Sequence, residues 1–245
     1  MRRDAGRRAC YLAARDMGVA DHKDRPRVTI ALIALVMGMI GVMDDTSGQQ
    51  DRLDRPADAQ VREFLDEHRR DWRDLNVPYE DGRILHDLIV EHGFTRAVEI
   101  GTSTGHSTIW IAWALSKTGG KLVTVELDRD RYDEARRNVA AVGLSGYVEF
   151  ILGDAHRVVP SLAGPFDYVF SDADKDWYVR YFDALYPKLT DDACFVAHNV
   201  TEREARRGGW QGEYLAHVRA VADMTTFLHP DARNGVAVTC KGHSR

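Results

Sequence analysis

Residues 97–112, AVEIGTSTGHSTIWIA, decide the fold of this 245-residue chain. The stretch begins as a short β-rich run, turns between Gly101 and Gly105, and continues from Ser107 as an apolar helix. Its turn spells G-x-x-x-G, which differs from the G-x-G-x-x-G of dinucleotide-binding turns. Because glycine permits tight turns and lets a ligand approach the backbone closely, the stretch predicts a strand–turn–helix unit with a small-molecule site at its turn.

Strand and helix signals alternate on either side of this unit. Apolar residues at helical spacing predict amphipathic helices over 57–75 and 80–92. Downstream, further strands are predicted at 121–127, 147–152, 166–170 and 194–197, with helices at 131–142, 156–162, 176–189 and 213–222, and two closely spaced strands follow at 225–228 and 235–240. The alternation predicts an α/β fold, a doubly wound and mainly parallel seven-stranded sheet with an antiparallel C-terminal hairpin.

Acidic side chains stand where the predicted strands end, which is where sheets of this kind bind ligands. Glu126 ends the second strand, and a carboxylate there can accept hydrogen bonds from both ribose hydroxyls of a nucleoside. Asp128 is expected instead to cap the following helix. Asp154, after the third strand, either accepts from the amino group of adenine or caps a helix, and both interpretations stay open.

Residues 171–176, SDADKD, follow the fourth predicted strand and place a charged cluster at the same edge of the sheet. Carboxylate oxygens suit a hard divalent cation such as magnesium. Lys175, beside such a cation, could remove the proton of a hydroxyl group. His198 and Asn199 follow the fifth strand and add an imidazole and an amide oxygen. The cluster therefore predicts metal-assisted chemistry on a hydroxyl group.

Four runs together resemble the cation-dependent O-methyltransferases, the family that contains the caffeoyl-CoA and catechol O-methyltransferases. They are AVEIGTSTGHSTIWIA, VTVELDRDRYDEARRN at 123–138, FDYVFSDADKDWY at 166–178 and FVAHNV at 195–200. The likeness covers about residues 77–240. It implies a Rossmann-like class I methyltransferase fold and S-adenosylmethionine as cofactor. It also implies O-methylation of a small hydroxylated, catechol-like acceptor with the help of a divalent cation, Mg or Mn.

The resemblance also implies roles for single residues. The positions that match cofactor-binding residues are Val77, Glu99, Gly101, Thr102, Ser107, Glu126, Ala155 and Asp174. Asp172 matches a metal ligand that also touches the substrate, Lys175 matches the general base, and Asn199 matches the last metal ligand. His198 departs from the family pattern, which has Asp there, and it is predicted as the third metal ligand, at the edge of the site. Because histidine favours transition metals over magnesium, His198 indicates a changed metal preference, a weakened site or a lost metal.

The implied mechanism is direct methyl transfer to an acceptor hydroxyl placed in line with the sulfonium methyl group. Positioning and stabilisation of the developing oxygen charge would supply most of the rate enhancement. Trp177, Tyr178 and Trp210 are candidates for an aromatic wall around the acceptor, and core packing is the alternative for all three.

Other functions are retained as hypotheses. A nicotinamide-dependent oxidoreductase would require the G-x-G-x-x-G turn, which is absent, and would leave the 171–176 cluster unexplained. A metal-independent methyltransferase of the same fold, or a non-catalytic nucleoside-binding module, would account for a degenerate metal site at His198. The net charge of −5 gives no reason to expect a nucleic-acid partner. A homodimer is one candidate assembly, and no motif in the sequence argues for or against it.

The cysteines and the N-terminal segments carry further expectations. Cys10, Cys194 and Cys240 form no C-x-x-C pair, so neither a zinc site nor a disulfide framework is expected. A basic segment at 1–27 precedes an uncharged apolar run at 28–43, a polar linker at 44–56 and the methyltransferase domain at 57–245.

The order of a basic segment and an apolar run resembles a signal peptide or membrane anchor. The run is short for a span, which needs about 20 residues, and a buried helix or a translation start at Met43 are alternatives. We expect a cytoplasmic protein with membrane association through 28–43, and export is the alternative.

Overall fold

The computed structural model describes residues 58–72 and 75–242, all of which lie in one compact unit, Asp45–Arg245. The apolar run at 28–43 and the linker at 44–56 lie outside the described residues. Within the described part of the chain, no helix has the length and apolar character needed to cross a membrane.

Helices and strands alternate along the described chain. The helices are α1 (Asp58–Glu67), α2 (Tyr79–His92), α3 (His106–Thr118), α4 (Arg129–Ala141), α5 (Ala155–Ser161), α6 (Tyr178–Leu185), α7 (Glu202–Ala205) and α8 (Gly209–Arg219). The strands are β1 (Arg96–Ile100), β2 (Lys121–Glu126), β3 (Val148–Leu152), β4 (Phe166–Ser171), β5 (Leu189–His198), β6 (Met224–Leu228) and β7 (Val236–Lys241). Single 3₁₀ turns lie at Ser145–Tyr147, Lys175–Trp177 and Tyr186–Lys188.

The seven strands form one sheet in the order β3-β2-β1-β4-β5-β7-β6. The first five pair in parallel, and β7 pairs antiparallel with both β5 and β6. The predicted doubly wound sheet with an antiparallel C-terminal hairpin is therefore confirmed. The strand order reverses between β1 and β4, where Ile100 lies opposite Ser171. The residues that follow these two strands must therefore meet at the switch point, where such sheets bind ligands.

Helices cover both faces of the sheet because successive strand residues point to opposite sides. On β4, Val169 packs in the cluster beneath α6 and α8, whereas Tyr168 and Phe170 pack in the cluster beneath α2 and α3. A third cluster joins α1 to α3 and α4 through Val61 and Leu65. The sheet is thus buried on both faces, and its ligand-binding groups are confined to the edge formed by the strand ends.

Several elements differ from those predicted. The predicted helix over 57–75 is shorter, because α1 covers only Asp58–Glu67. The predicted helix at 176–189 is shorter, because α6 ends at Leu185 and Pro187 lies in the 3₁₀ turn that follows, where its missing N–H cannot extend a helix. Strand β5 begins at Leu189, five residues before the predicted start. The short helix α7 was not predicted, and the Thr201 hydroxyl, which accepts from the Glu204 N–H, caps its start.

Cys194 and Cys240 form a disulfide, which corrects the expectation that the cysteines are unpaired. They lie opposite each other on the antiparallel strands β5 and β7, with their Cα atoms 4.1 Å apart. A separation of 46 residues hid the pair from sequence analysis, because the pairing of β5 with β7 brings them together.

His106, the first residue of α3, is buried as a neutral ring. Its Nδ1 donates to the carbonyl of Val77 at 2.9 Å, and its Nε2 accepts from the indole N–H of Trp110 at 3.1 Å. Since an indole nitrogen can only donate, the ring must keep an unprotonated Nε2. Burial lowers the pKa of His106 to about 4.

We expect the free energy of unfolding to fall as the pH drops from about 6.5 towards 4. The folded pKa lies below the unfolded value, so the unfolded chain takes up a proton that the folded chain excludes, at a cost on the order of 3 kcal/mol. Urea unfolding of the wild type and of His106→Gln at pH 7 and pH 4.5 measures this effect. The glutamine amide can donate and accept like the neutral ring but does not titrate. Equal pH dependence in the two proteins would contradict the assignment.

Candidate active site

A cavity of about 500 Å³ opens at the carboxyl edge of the sheet, a size typical of small-molecule sites. It is lined by residues that follow each of the five parallel strands, among them Gly101, Ser103, Glu126, Leu127, Gly153, Asp154, Ala155, Asp172, Asp174, Lys175, His198 and Asn199. The predicted catalytic, metal and nucleoside residues thus come together in one place, as the strand order requires.

The glycine-rich turn after β1 shapes one wall of this cavity. Gly101 has a φ of 98°, and a Cβ atom there would lie 2.8 Å from the backbone oxygen of Asp172. The Gly101 N–H donates to the carbonyl of Val125, and the Asp172 N–H donates to the carbonyl of Ile100. A side chain at position 101 would therefore strain the turn and push the ends of β1 and β4 apart.

Glu99 is fully buried at the end of β1. Its Oε2 accepts hydrogen bonds from the hydroxyls of Thr108 at 2.5 Å and Thr124 at 2.6 Å. Its Oε1 is buried without a hydrogen-bond partner in the part of the chain that the structure describes. Burial raises the pKa of Glu99 to about 7, against the opposing effect of the surrounding hydroxyls. A buried acceptor without a partner suits a ligand that brings its own donor, such as an ammonium group.

Hydrogen bonds to the Glu126 carboxylate link the turn after β1 to the end of β2. Its Oε2 accepts from the backbone N–H of Ser103 at 2.7 Å, and its Oε1 accepts from the N–H groups of Leu127 and Asp128. Each carboxylate oxygen has more than one acceptor position, so ligand hydroxyls can still be bound. Asp128 caps α4, as predicted, and Asp154 caps α5 while it lines the cavity.

Lys175 and Asp172 form an ion pair at the cavity wall. The Nζ of Lys175 donates to Oδ1 of Asp172 and, at 2.8 Å, to the hydroxyl oxygen of Tyr178. The Tyr178 hydroxyl in turn donates to the backbone oxygen of His198 at 3.3 Å. These contacts hold the Lys175 ammonium in a fixed position at the rim of the cavity.

The ring of His198 bridges two carboxylates. Its Nδ1 lies 3.0 Å from Oδ2 of Asp172, and its Nε2 lies 2.9 Å from Oδ2 of Asp81. Asp81 also accepts from the backbone N–H groups of Arg233 and Asn234. Burial alone would lower the pKa of His198, but hydrogen bonds and charge from the two carboxylates outweigh it and raise the pKa above the usual value.

Asp81 was not predicted from the sequence as part of the site. It lies on α2, 117 residues before His198, and only the packing of that helix against the sheet brings the two together. One signal was present, because Asp81 precedes Ile84 and Leu85 by three and four residues and therefore shares their buried helix face. A carboxylate on that face requires a partner within the fold.

The predicted cofactor residues fall into two groups. Gly101, Glu126, Ala155 and Asp174 line the cavity. Glu99, Thr102, Ser107 and Val77 are buried and do not belong to that lining in the described part of the chain. The carbonyl of Val77 is already occupied by His106, as described above. The cofactor roles of all eight residues stay predictions.

Packing accounts for the three aromatic residues considered as an acceptor wall. Tyr178 and Trp210 contact each other edge to face with ring centroids 5.0 Å apart, and Trp177 stacks on His156 at 3.6 Å. None of the three belongs to the described lining of the cavity, which includes Tyr181 instead.

The predicted metal ligands do not form a donor set that fits a cation. Asp172 and His198 contact each other, and Asn199 lines the same cavity. A metal-binding imidazole needs a free nitrogen lone pair, but both ring nitrogens of His198 face carboxylate oxygens. Over residues 58–72 and 75–242, no group of three or more His, Cys, Asp or Glu side chains is arranged to hold a metal ion.

Several known proteins are similar to this chain in sequence. Residues 49–204 match the protein family described as O-methyltransferase. The chain is 40% identical over 130 residues to a catechol O-methyltransferase of Niastella koreensis, covering 51% of this chain and 58% of that protein. It is also 40% identical over 127 residues to a catechol O-methyltransferase of Mycobacterium tuberculosis, covering 51% and 57%. The chain thus spans less than two thirds of the length of these relatives.

Solved structures resemble the fold over most of the chain. An O-methyltransferase from Streptomyces achromogenes in complex with S-adenosylmethionine has a TM-score of 0.64 and 26% identity, covering 84% of this chain and 99% of that one. An O-methyltransferase from Bacillus cereus in complex with S-adenosylhomocysteine has a TM-score of 0.65 and 23% identity, covering 83% and 100%. The second likeness concerns the fold alone.

Proposed function

This chain belongs to the O-methyltransferase family, and from that membership we propose that it transfers the methyl group of S-adenosylmethionine to a hydroxyl group of a small molecule. The observation that carries the proposal is the meeting of Lys175 and Asp172 with the Gly101 turn and Glu126 in one cavity. Lys175 and Asp172 supply a means of activating a hydroxyl. The Gly101 turn and Glu126 supply a site for a nucleoside.

The residues around the Gly101 turn fit the cofactor. Glu126, which lines the cavity, would accept the ribose hydroxyls. Gly101 lines the same cavity, and its positive φ lets the turn pass close to the end of β4. When bound, S-adenosylmethionine supplies a methyl group on a positively charged sulfur.

The reaction balances with the groups of this chain. The acceptor O–H bond breaks, an O–CH₃ bond forms as the S–CH₃ bond breaks, and S-adenosylhomocysteine leaves with a neutral sulfur. The Lys175 ammonium first releases a proton to solvent, and its Nζ then takes the hydroxyl proton of the acceptor. The resulting ammonium lies against the Asp172 carboxylate, which stabilises it.

The acceptor class follows from the relatives. Those matched here include catechol O-methyltransferases and caffeoyl-CoA O-methyltransferases. We therefore propose a small hydroxylated aromatic acceptor. Two alternatives were open for the cation: assistance by Mg or Mn, and a metal-independent methyltransferase of the same fold. The donor geometry at His198 favours the second, and the steps above need no metal.

Dependence on S-adenosylmethionine, which cells make in the cytoplasm, supports a cytoplasmic location. The segment at 28–43 lies outside the described residues and adds nothing to this argument.

Calorimetric titration tests the cofactor assignment. We expect S-adenosylmethionine and S-adenosylhomocysteine to bind and NAD not to bind, because the turn lacks the dinucleotide pattern. Transfer of a radiolabelled methyl group to catechol then tests catalysis. Binding of NAD without binding of S-adenosylhomocysteine would overturn the proposal. Cofactor binding without transfer to any of a panel of phenols and catechols would favour a non-catalytic module.

A further inference from the structure

The bridge from Asp81 through His198 to Asp172 lies at the cavity wall, where the resemblance places a metal ion. We propose that this hydrogen-bonded bridge, with Lys175 as the neighbouring cation, takes the place of a divalent metal, so that the enzyme orients its acceptor hydroxyl and transfers the methyl group without one. The claim that methyl transfer proceeds without a metal rests on the proposed function. The claim that the bridge binds no metal does not.

His198 is held as a structural bridge and cannot act as a free ligand. Its side chain is 3% exposed, and its two nitrogens lie 2.9 and 3.0 Å from carboxylate oxygens on opposite sides. A metal ion could reach one nitrogen only by displacing a carboxylate from it, and the displaced carboxylate would lose its partner inside the protein. Removing one partner of a buried ion pair is strongly destabilising, so the arrangement opposes metal entry.

Asp81 anchors the far end of the bridge. Its side chain is completely buried, and protein donors surround it: the backbone N–H of Arg233 at 2.6 Å, that of Asn234 at 3.1 Å, and the His198 ring. Its negative charge is therefore balanced by protein groups, without a metal ion. This fixes the orientation of the ring, which in turn fixes Oδ2 of Asp172 at the cavity wall.

Asp172 is engaged at both of its oxygens. Oδ1 accepts from Lys175 and Oδ2 accepts from His198, and the side chain is only 13% exposed. An aspartate at position 198 would place a third carboxylate beside Asp81 and Asp172. Like charges at that distance repel and would need a bound cation to offset them. A histidine donates to both neighbours instead, which removes the need for the metal.

Metal binding by the full-length protein tests the inference independently of activity. After dialysis against EDTA and then metal-free buffer, Mn²⁺ and Zn²⁺ are titrated into the wild type, into His198→Asp and into His198→Asn, with and without S-adenosylhomocysteine. Binding is measured by the EPR signal of free Mn²⁺ and by calorimetry.

We expect no saturable binding by the wild type at metal concentrations up to about 1 mM, which covers roughly the range of dissociation constants of protein cation sites. We expect His198→Asp to bind Mn²⁺ at least about tenfold more tightly than His198→Asn, which removes the ring without adding a carboxylate.

The outcomes separate this inference from the proposed function. Saturable Mn²⁺ or Zn²⁺ binding by the wild type that His198→Asn abolishes would overturn the inference, even if no acceptor were found. If His198→Asp fails to fold, judged by its melting curve, the wild-type titration still decides the question. Where methyl transfer is detected, full activity in excess EDTA is expected, and loss of activity that Mn²⁺ restores would overturn the inference. Loss of S-adenosylhomocysteine binding would instead count against the proposed function.

Discussion

Replacing Lys175 with methionine should lower kcat for methyl transfer by about 10²- to 10⁴-fold, the usual contribution of a positioned acid–base group. Methionine keeps the length and apolar stem of the side chain but cannot take the hydroxyl proton at Nζ. It also removes the cation that contacts Asp172 and the Tyr178 hydroxyl. Since Lys175 has no role in the proposed nucleoside contacts, affinity for S-adenosylhomocysteine should change by less than about threefold.

Steady-state kinetics with calorimetric titration of S-adenosylhomocysteine measure both parts of this expectation. Lys188→Met is a matched control, because the Lys188 ammonium donates to the carbonyl of Pro160 and Lys188 does not line the cavity in the described chain. The control should keep wild-type kcat. If kcat of Lys175→Met falls by less than about tenfold, Lys175 is not the general base, whatever the effect of the substitution on the melting temperature.

Replacing Glu126 with alanine should weaken binding of S-adenosylmethionine by about 1–3 kcal/mol, or roughly 5- to 150-fold. The carboxylate accepts from the N–H groups of Ser103, Leu127 and Asp128, and its loss leaves these donors unpaired as well as the ribose hydroxyls. Glu126→Gln keeps one acceptor oxygen and should fall between the wild type and Glu126→Ala.

Asp128→Ala provides the matched control for Glu126→Ala. Asp128 caps α4 by accepting from the N–H groups of Asp130 and Arg131. Its loss should lower stability by about 0.5–2 kcal/mol without a comparable loss of affinity. Calorimetry and thermal melting, run on all three variants, separate the two effects. Unchanged affinity in a folded Glu126→Ala protein would exclude Glu126 from the cofactor site.

Much of the fold could be predicted because its determinants are local. The apolar run of β1, the glycines at 101 and 105 and the helix that begins beside Ser107 follow one another within a dozen residues. Repetition of that pattern requires a parallel sheet, and a parallel sheet collects its strand ends at one edge. The positions of Asp172, Lys175 and Glu126 in one cavity followed from those two steps.

The environment of His198 could not be predicted in the same way. Sequence alone favoured assistance by a metal but left a changed metal, a weakened site and a lost metal open, because all three depend on what faces the ring. The deciding group, Asp81, belongs to a helix that precedes the first strand, and its contact with His198 depends on how α2 packs. The disulfide was hidden for a related reason, since it joins two strands whose pairing no local pattern specifies.

Because of the disulfide between Cys194 and Cys240, the covalent state of this protein depends on how it was prepared. Cytosolic reductants keep most thiols free, whereas air and oxidising compartments favour the bonded form. Both side chains are almost wholly buried, so a reagent added after folding reaches them slowly. The redox state set during folding will therefore persist through purification, and kinetics compared between preparations from reducing and oxidising hosts require that the free thiols be counted first.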